Sequence, residues 1–240
     1  IAHGQTGVDI EWIRPASVSV RHWWFGPPVY RDAITKESVD FEMNRRDASV
    51  TIVGKYLAVE VALADYRIAV RTAGGRVMFT EARGPERNPR TIVLRQLLDE
   101  GEAIYGMDIA PPSRESASLR GARAENAFPF FFSSKGYGRY FVSERRKASV
   151  DVGQGIVNRL DVTLPSGADQ EQYVYLGPAP KEIFEEHMSA AGGDSLVGPA
   201  SLLVLGAQNL PPKAVTLPVD LKLCDLSAGV NQASLSARLF

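Results

Sequence analysis

The chain has 240 residues, and its 27 Lys and Arg against 28 Asp and Glu leave a formal net charge of −1. Hydrophobic residues make up 45% and charged residues 23%, near the globular average, which excludes a disordered chain, a coiled coil and a collagen-like repeat. The even charge balance argues against bulk binding to nucleic acid, and no run of about 18 apolar residues is present to span a membrane.

The length allows one large domain or two small ones, and an all-β sandwich of this size can be a single unit. The sequence opens on Ile1, so a removed signal peptide and a trimmed segment are both open alternatives. Extracytoplasmic and cytoplasmic locations, as in bacteria, both stay open. The single cysteine, Cys224, excludes an intrachain disulfide and reads as a buried apolar thiol.

Taken in chain order, the first half alternates with period two. Val8, Ile10 and Trp12 share one face of a strand, and Val18, Val20, His22 and Trp24 share another. Val39, Phe41 and Met43 follow, then Leu57 to Leu63, then Tyr66, Ile68 and Val70. Such alternation in short runs predicts strands buried on one face. Between them stand turn residues, Gly26-Pro27-Pro28, Asp47, Gly54 and Gly84-Pro85, and Ala73-Gly74-Gly75-Arg76 predicts a tight hairpin. Further strands are predicted at 77–80, 91–98, 102–107, 128–134, 139–143, 157–162 and 171–176. Residues 110–126 read as a long exposed loop, of the kind that is functional or disordered in a compact domain.

One helix is predicted near 179–191. Pro178 and Pro180 suit a first turn, Glu182 and Glu185 favour its early part, and Gly192-Gly193 stop it. The expected fold is mainly β, an antiparallel sandwich over residues 1–192. Residues 193–240 are richer in Leu, Ala, Ser and Pro and read as a tail of a few strands and loops.

Familiar catalytic signatures are missing. No phosphate-cradling Gly-x-x-x-x-Gly-Lys-Ser/Thr loop, no Gly-x-Ser-x-Gly elbow and no His-Glu-x-x-His helix occurs. His3, His22 and His187 are far apart and lack ligand spacing, so neither a metal nor a cofactor is expected. Carboxylates gather around the long loop: Asp108 follows a strand, and Glu115 and Glu125, with the amide of Asn126, lie in the loop or at its end. Loops carry sites more often than scaffolds do, with solvated loop charges as the plain alternative. The run Phe128-Pro-Phe-Phe-Phe132, with Tyr137 and Tyr140, could stack sugars. Neighbours on a strand face opposite ways, however, so at least half must turn inward. The same applies to Trp23 and Trp24.

Several segments together resemble glycoside hydrolase family 31. They are Gly101-Glu-Ala-Ile-Tyr105-Gly106-Met107, Phe128-Pro-Phe-Phe-Phe-Ser133-Ser134-Lys135-Gly136-Tyr137-Gly138 and Tyr173-Val-Tyr-Leu-Gly177-Pro178-Ala-Pro180-Lys181-Glu182. The resemblance covers residues 8 to 192 and implies the family's N-terminal, galactose mutarotase-like sandwich, which precedes a catalytic barrel. That family retains configuration with a carboxylate nucleophile and a second carboxylic acid. Both belong to the barrel, so no catalytic residue is assigned to this chain. Leu210-Pro-Pro-Lys213 resembles the lead into a barrel, but the 27 residues after it are far fewer than the ~200 a barrel needs.

Where the family has Tyr-Gly-x-Gly-Glu, Tyr105 and Gly106 match and Asp108 and Ile109 depart. The family's loop reaches over the barrel mouth. Carried over, this makes Asp108 and the stretch 120–126, with Arg123, Glu125 and Asn126, the candidate substrate contacts. The resemblance implies carbohydrate and a catalytic barrel, in the same or another chain, as partners, and self-association stays open. Three readings compete: a non-catalytic module of a family 31 protein, a free-standing carbohydrate-binding or assembly module, and a mutarotase-like enzyme. The last requires a histidine and a carboxylate converging in one cleft.

Overall fold

The computed structural model describes residues 1–28, 36–113, 115–143 and 148–191. In chain order the first elements are β1 (Ala2–His3), β2 (Thr6–Arg14), β3 (Ser17–Trp23), β4 (Glu42–Arg45), β5 (Ser49–Val53) and β6 (Leu57–Ala62). Next come β7 (Ile68–Thr72), β8 (Val77–Arg87), β9 (Thr91–Leu97), β10 (Ile104–Gly106), β11 (Arg123–Ala127) and β12 (Phe130–Ser133). The series closes with β13 (Tyr137–Phe141), β14 (Ala148–Val152), β15 (Arg159–Pro165), β16 (Asp169–Leu176) and α1 (Pro180–Ala191).

These strands form two antiparallel sheets. One runs β1-β2-β3-β16-β13-β12-β10 and the other β11-β14-β15-β9-β8-β7-β6-β5-β4. The sequence alternation sets the faces. On β9, Ile92 and Leu94 turn inward, and across from them on β15 so do Leu160, Val162 and Leu164. On β3, Val18 and Val20 join the same core between the sheets. Gly75 in the β7–β8 turn adopts a φ of 90°, which the predicted hairpin requires there.

The seven-stranded sheet is covered on both faces. Phe131, Tyr137 and Phe141 point into the core between the sheets. Phe130, Tyr140, Tyr173 and Tyr175 point the other way and pack under α1 through Ile183 and Ala190. Gly138 makes this seat possible, because a Cβ there would come 2.5 Å from the Ile183 side chain. The dense aromatic run is therefore core on both faces and not an open stacking platform.

Three expectations need correction. The strand expected from Val39 is β4, at the edge of the wider sheet, and Phe41 and Met43 are 59% and 63% exposed. With a neighbouring strand on only one side, their alternation does not bury them. Strands β5 and β14 were not predicted, since their runs are short and hold polar residues. The long loop of 110–126 is shorter than expected: Leu119 and Ala122 are buried and β11 begins at Arg123. The expected helix is present as α1. The expectations for residues 193–240 and Cys224 lie outside the described residues.

Candidate functional site

The four predicted contact residues fall on two neighbouring features. The first is the end of β10. The Met107 amide donates to the Phe130 carbonyl at 2.8 Å, and the Phe128 amide donates to the Met107 carbonyl at 2.8 Å. Asp108 and Asn126 thus each lie within two residues of one backbone bond, and both are exposed. Their backbones are unusual. Gly106, Met107 and Asp108 follow one another with φ of 109°, 61° and 53°, and Asn126 has 60°. The left-handed region costs a residue with a side chain about 1 kcal/mol or more, although Asp and Asn visit it more readily than most. The two Met107 bonds hold the turn in that shape.

The second feature is the β11–β14 edge. Arg123 stands across from Asp151, its Nε 3.8 Å from the carboxylate. Glu125 accepts a hydrogen bond from the Ser149 hydroxyl. Asp151 is already engaged, because its Oδ1 accepts the amides of Gln154 at 2.8 Å and Gly155 at 3.1 Å and so shapes the β14–β15 turn. Asp108 and Asn126 therefore flank the Met107 bonds, and Arg123 and Glu125 share the edge strand β11 with Asn126.

Arg120, part of the predicted stretch, has a different task. It donates to the carbonyls of Asp99 at 3.0 Å and Glu102 at 3.3 Å, and to the Asn158 side chain. Arg120 clamps the loop to the sandwich and is spent on structure. Leu119 helps from the other side, its amide donating to the Ile104 carbonyl at 2.7 Å. Ser149 and Asp151, the partners of the edge pair, were missed in the sequence because β14 itself was missed.

The histidines do not meet the demand of the mutarotase-like reading. His22 is buried with its Nε2 2.9 Å from the Tyr66 carbonyl, and burial holds its pKa below the ordinary value. His187 lies on the inner face of α1 with its Nδ1 3.0 Å from the Tyr175 hydroxyl, and its ring stacks on Phe130 at 4.4 Å. Burial lowers its pKa to about 4. Neither hydrogen-bonds a carboxylate among the described residues. Nor do three His, Cys, Asp or Glu side chains there gather in a way that could hold a metal, and no helix there is long and apolar enough to cross a membrane.

The described residues form a two-sheet antiparallel sandwich, one sheet seated under a helix that directly follows the last strand. No family model matches the sequence. Among curated proteins, the α-xylosidase XylQ of Lactiplantibacillus pentosus is 23% identical over 184 residues, which are 65% of this chain and 24% of XylQ. Among solved structures, a family 31 dextranase of Flavobacterium johnsoniae, complexed with glucose, aligns over 78% of this chain and 26% of its own, with a TM-score of 0.66 and 16% identity. A family 31 α-xylosidase from a soil metagenome, complexed with xylose, aligns over 80% of this chain and 33% of its own, with a TM-score of 0.64 and 17% identity. The chain thus spans about a quarter of the curated relative it matches. The two aligned structures share the sandwich fold of this chain and are family 31 enzymes, the family that its segments resemble.

Proposed function

We propose that this chain is a non-catalytic sandwich module of a family 31 glycoside hydrolase-like protein. It packs on a catalytic barrel, in the same or another chain, and offers the Asp108–Asn126 turn to the sugar bound at the barrel mouth. The observation that carries this reading is the turn itself. Three successive left-handed residues and a fourth at Asn126 are held rigid by the Met107 backbone bonds. Strain of this sort collects where side chains must be aimed at a ligand. Asp108 and Asn126 supply an acceptor and a mixed donor–acceptor, the chemistry that sugar hydroxyls need. Arg123 and Glu125 stand beside them on β11 as outer contacts.

The relatives support the carbohydrate class. Two are α-xylosidases and one is a dextranase, and each of the two structures was solved with a sugar. The free-standing binding module is less favoured, because the sheet face richest in aromatics is filled by α1.

The test is steady-state hydrolysis of an aryl α-xyloside by the natural gene product, together with whatever barrel accompanies it. Asp108→Ala and Asn126→Ala should each raise KM several-fold while the melting temperature stays within a few degrees. Unchanged kinetics in both variants would contradict the assignment.

A further inference from the structure

A cavity of about 540 Å³ opens away from the Asp108–Asn126 turn, which adjoins the start of β12. Its wall includes Gly136, in the turn that follows the end of β12. Ala16 of the β2–β3 turn, Tyr56 of the β5–β6 turn and Arg76 of the β7–β8 turn complete that side, and the first two turns of α1 close the other. Two glycines allow the close fit. A Cβ on Gly136 would come 2.8 Å from the Gly177 carbonyl, and a Cβ on Gly177 would come 2.9 Å from the Glu182 Cβ.

The lining combines three chemistries. Met78, Leu176 and Pro178 give an apolar surface, and Tyr56 is 49% exposed beside it. Arg14 and Arg76 bring donors. Glu182 and Glu186 bring acceptors, and the Oε2 atom of each is withdrawn from solvent without a hydrogen-bond partner among the described residues. Arg14 donates through Nε to Glu37 at 2.8 Å, and its other arm approaches the other oxygen of Glu186 at 3.5 Å. A buried carboxylate oxygen left unpaired costs about 1–3 kcal/mol or more, so a turn of either side chain towards a ligand hydroxyl in the cavity is favoured.

We propose that this cavity is a second carbohydrate site, one that takes a neutral saccharide. An anion would face Glu182, Glu185 and Glu186, and a cation would face the two guanidinium groups. A polyhydroxylated neutral ring can donate to the unpaired carboxylate oxygens, accept from Arg14 and Arg76, and lay its apolar face on Tyr56. The volume lies within the ordinary range for small-molecule sites, roughly 300–1,000 Å³. The proposal does not depend on the loop reading, because cavity and loop share no residue.

The experiment is a titration of the ¹⁵N-labelled full chain with xylose and with isomaltotriose. Saturable shifts at the amides of Thr72, Arg76, Gly136 and Gly177 are expected. Glu186→Gln should weaken binding about tenfold, the loss of one charge-assisted hydrogen bond. Tyr56→Ala should weaken it too. Both cavity variants alter partly exposed side chains, so their circular dichroism should match that of the parent. Absence of shifts at these amides with either sugar would overturn the proposal. So would shifts confined to the residues around Asp108, or equal shifts with sodium phosphate in place of sugar.

Discussion

Arg139 on β13 and Glu81 on β8 join the two sheets through a 2.8 Å ion pair, each side chain 1% exposed. The guanidinium also donates to Gln96 at 2.7 Å and to Gln172, and it lies over the Phe79 ring at 4.2 Å. Glu81 uses its other oxygen to accept the Ile68 amide at 3.0 Å. Burial pulls the pKa of Arg139 below its ordinary value, and Glu81 opposes that pull. Removing one partner leaves a buried charge unpaired. Arg139→Met is expected to cost about 3–5 kcal/mol in urea unfolding. Arg139→Met with Glu81→Gln should cost clearly less, since Gln keeps an acceptor for Ile68 without the stranded charge. Equal losses in the single and double variants would show that the pair is not coupled.

His187 gives a pH prediction. Its pKa falls from about 6.5 in the unfolded chain to about 4 in the fold, because burial among aromatic rings disfavours the charged form. The unfolded state therefore binds more protons between these values. The stability from neutral His187 is fully present above pH 6.5 and is lost as pH falls towards 4, by about 3 kcal/mol in total. Urea unfolding at pH 7 and pH 4 should show this much less pH dependence in His187→Gln, with the other titrating groups common to both proteins. Parallel pH profiles would contradict it.

Gly177 seats α1 on the sheet. A Cβ there would approach the Glu182 Cβ at 2.9 Å and the Ile183 amide nitrogen at 3.0 Å, both in the first turn of the helix. Gly177→Ala is expected to cost about 1–3 kcal/mol through overpacking. Near-ultraviolet circular dichroism should report loosened packing of the rings under α1. An unchanged midpoint and spectrum would place the helix elsewhere.

Asn126 separates strain from chemistry. At φ 60°, Asn126→Gly should hold or slightly raise the unfolding midpoint, whereas Asn126→Val should lower stability by about 1–2 kcal/mol. If Gly and Val behaved alike, the left-handed turn would not exist in solution.

The sandwich was legible in the sequence because strands such as β9 and β15 alternate strictly, and their apolar faces meet across the core. The helix was legible from its flanking prolines and glycines. β11 reads as loop in the sequence, because its run Arg123-Ala-Glu-Asn-Ala127 holds three polar residues and sits at a sheet edge where exposure costs little. Arg139 carries a signal in the sequence: a lone arginine among Tyr137, Gly138, Tyr140 and Phe141 marks a buried charge that needs a partner. The candidate site residues come from the family resemblance alone, and their geometry is not legible in the sequence. The left-handed turn at Met107 follows from pairing with Phe128 and Phe130, more than 20 residues away, which no local pattern encodes. The cavity walls come from four separate turns and α1, so no spacing in the chain announces them.

The central claim is that this sandwich serves a glycosidase without performing its chemistry. The direct test is to assay the 240-residue chain alone, shown to be folded by near-ultraviolet circular dichroism, for hydrolysis of aryl α-xyloside and aryl α-glucoside. The account predicts no turnover above the uncatalysed rate with either substrate. Turnover that follows this chain through purification would contradict it and place the reacting carboxylates within these residues.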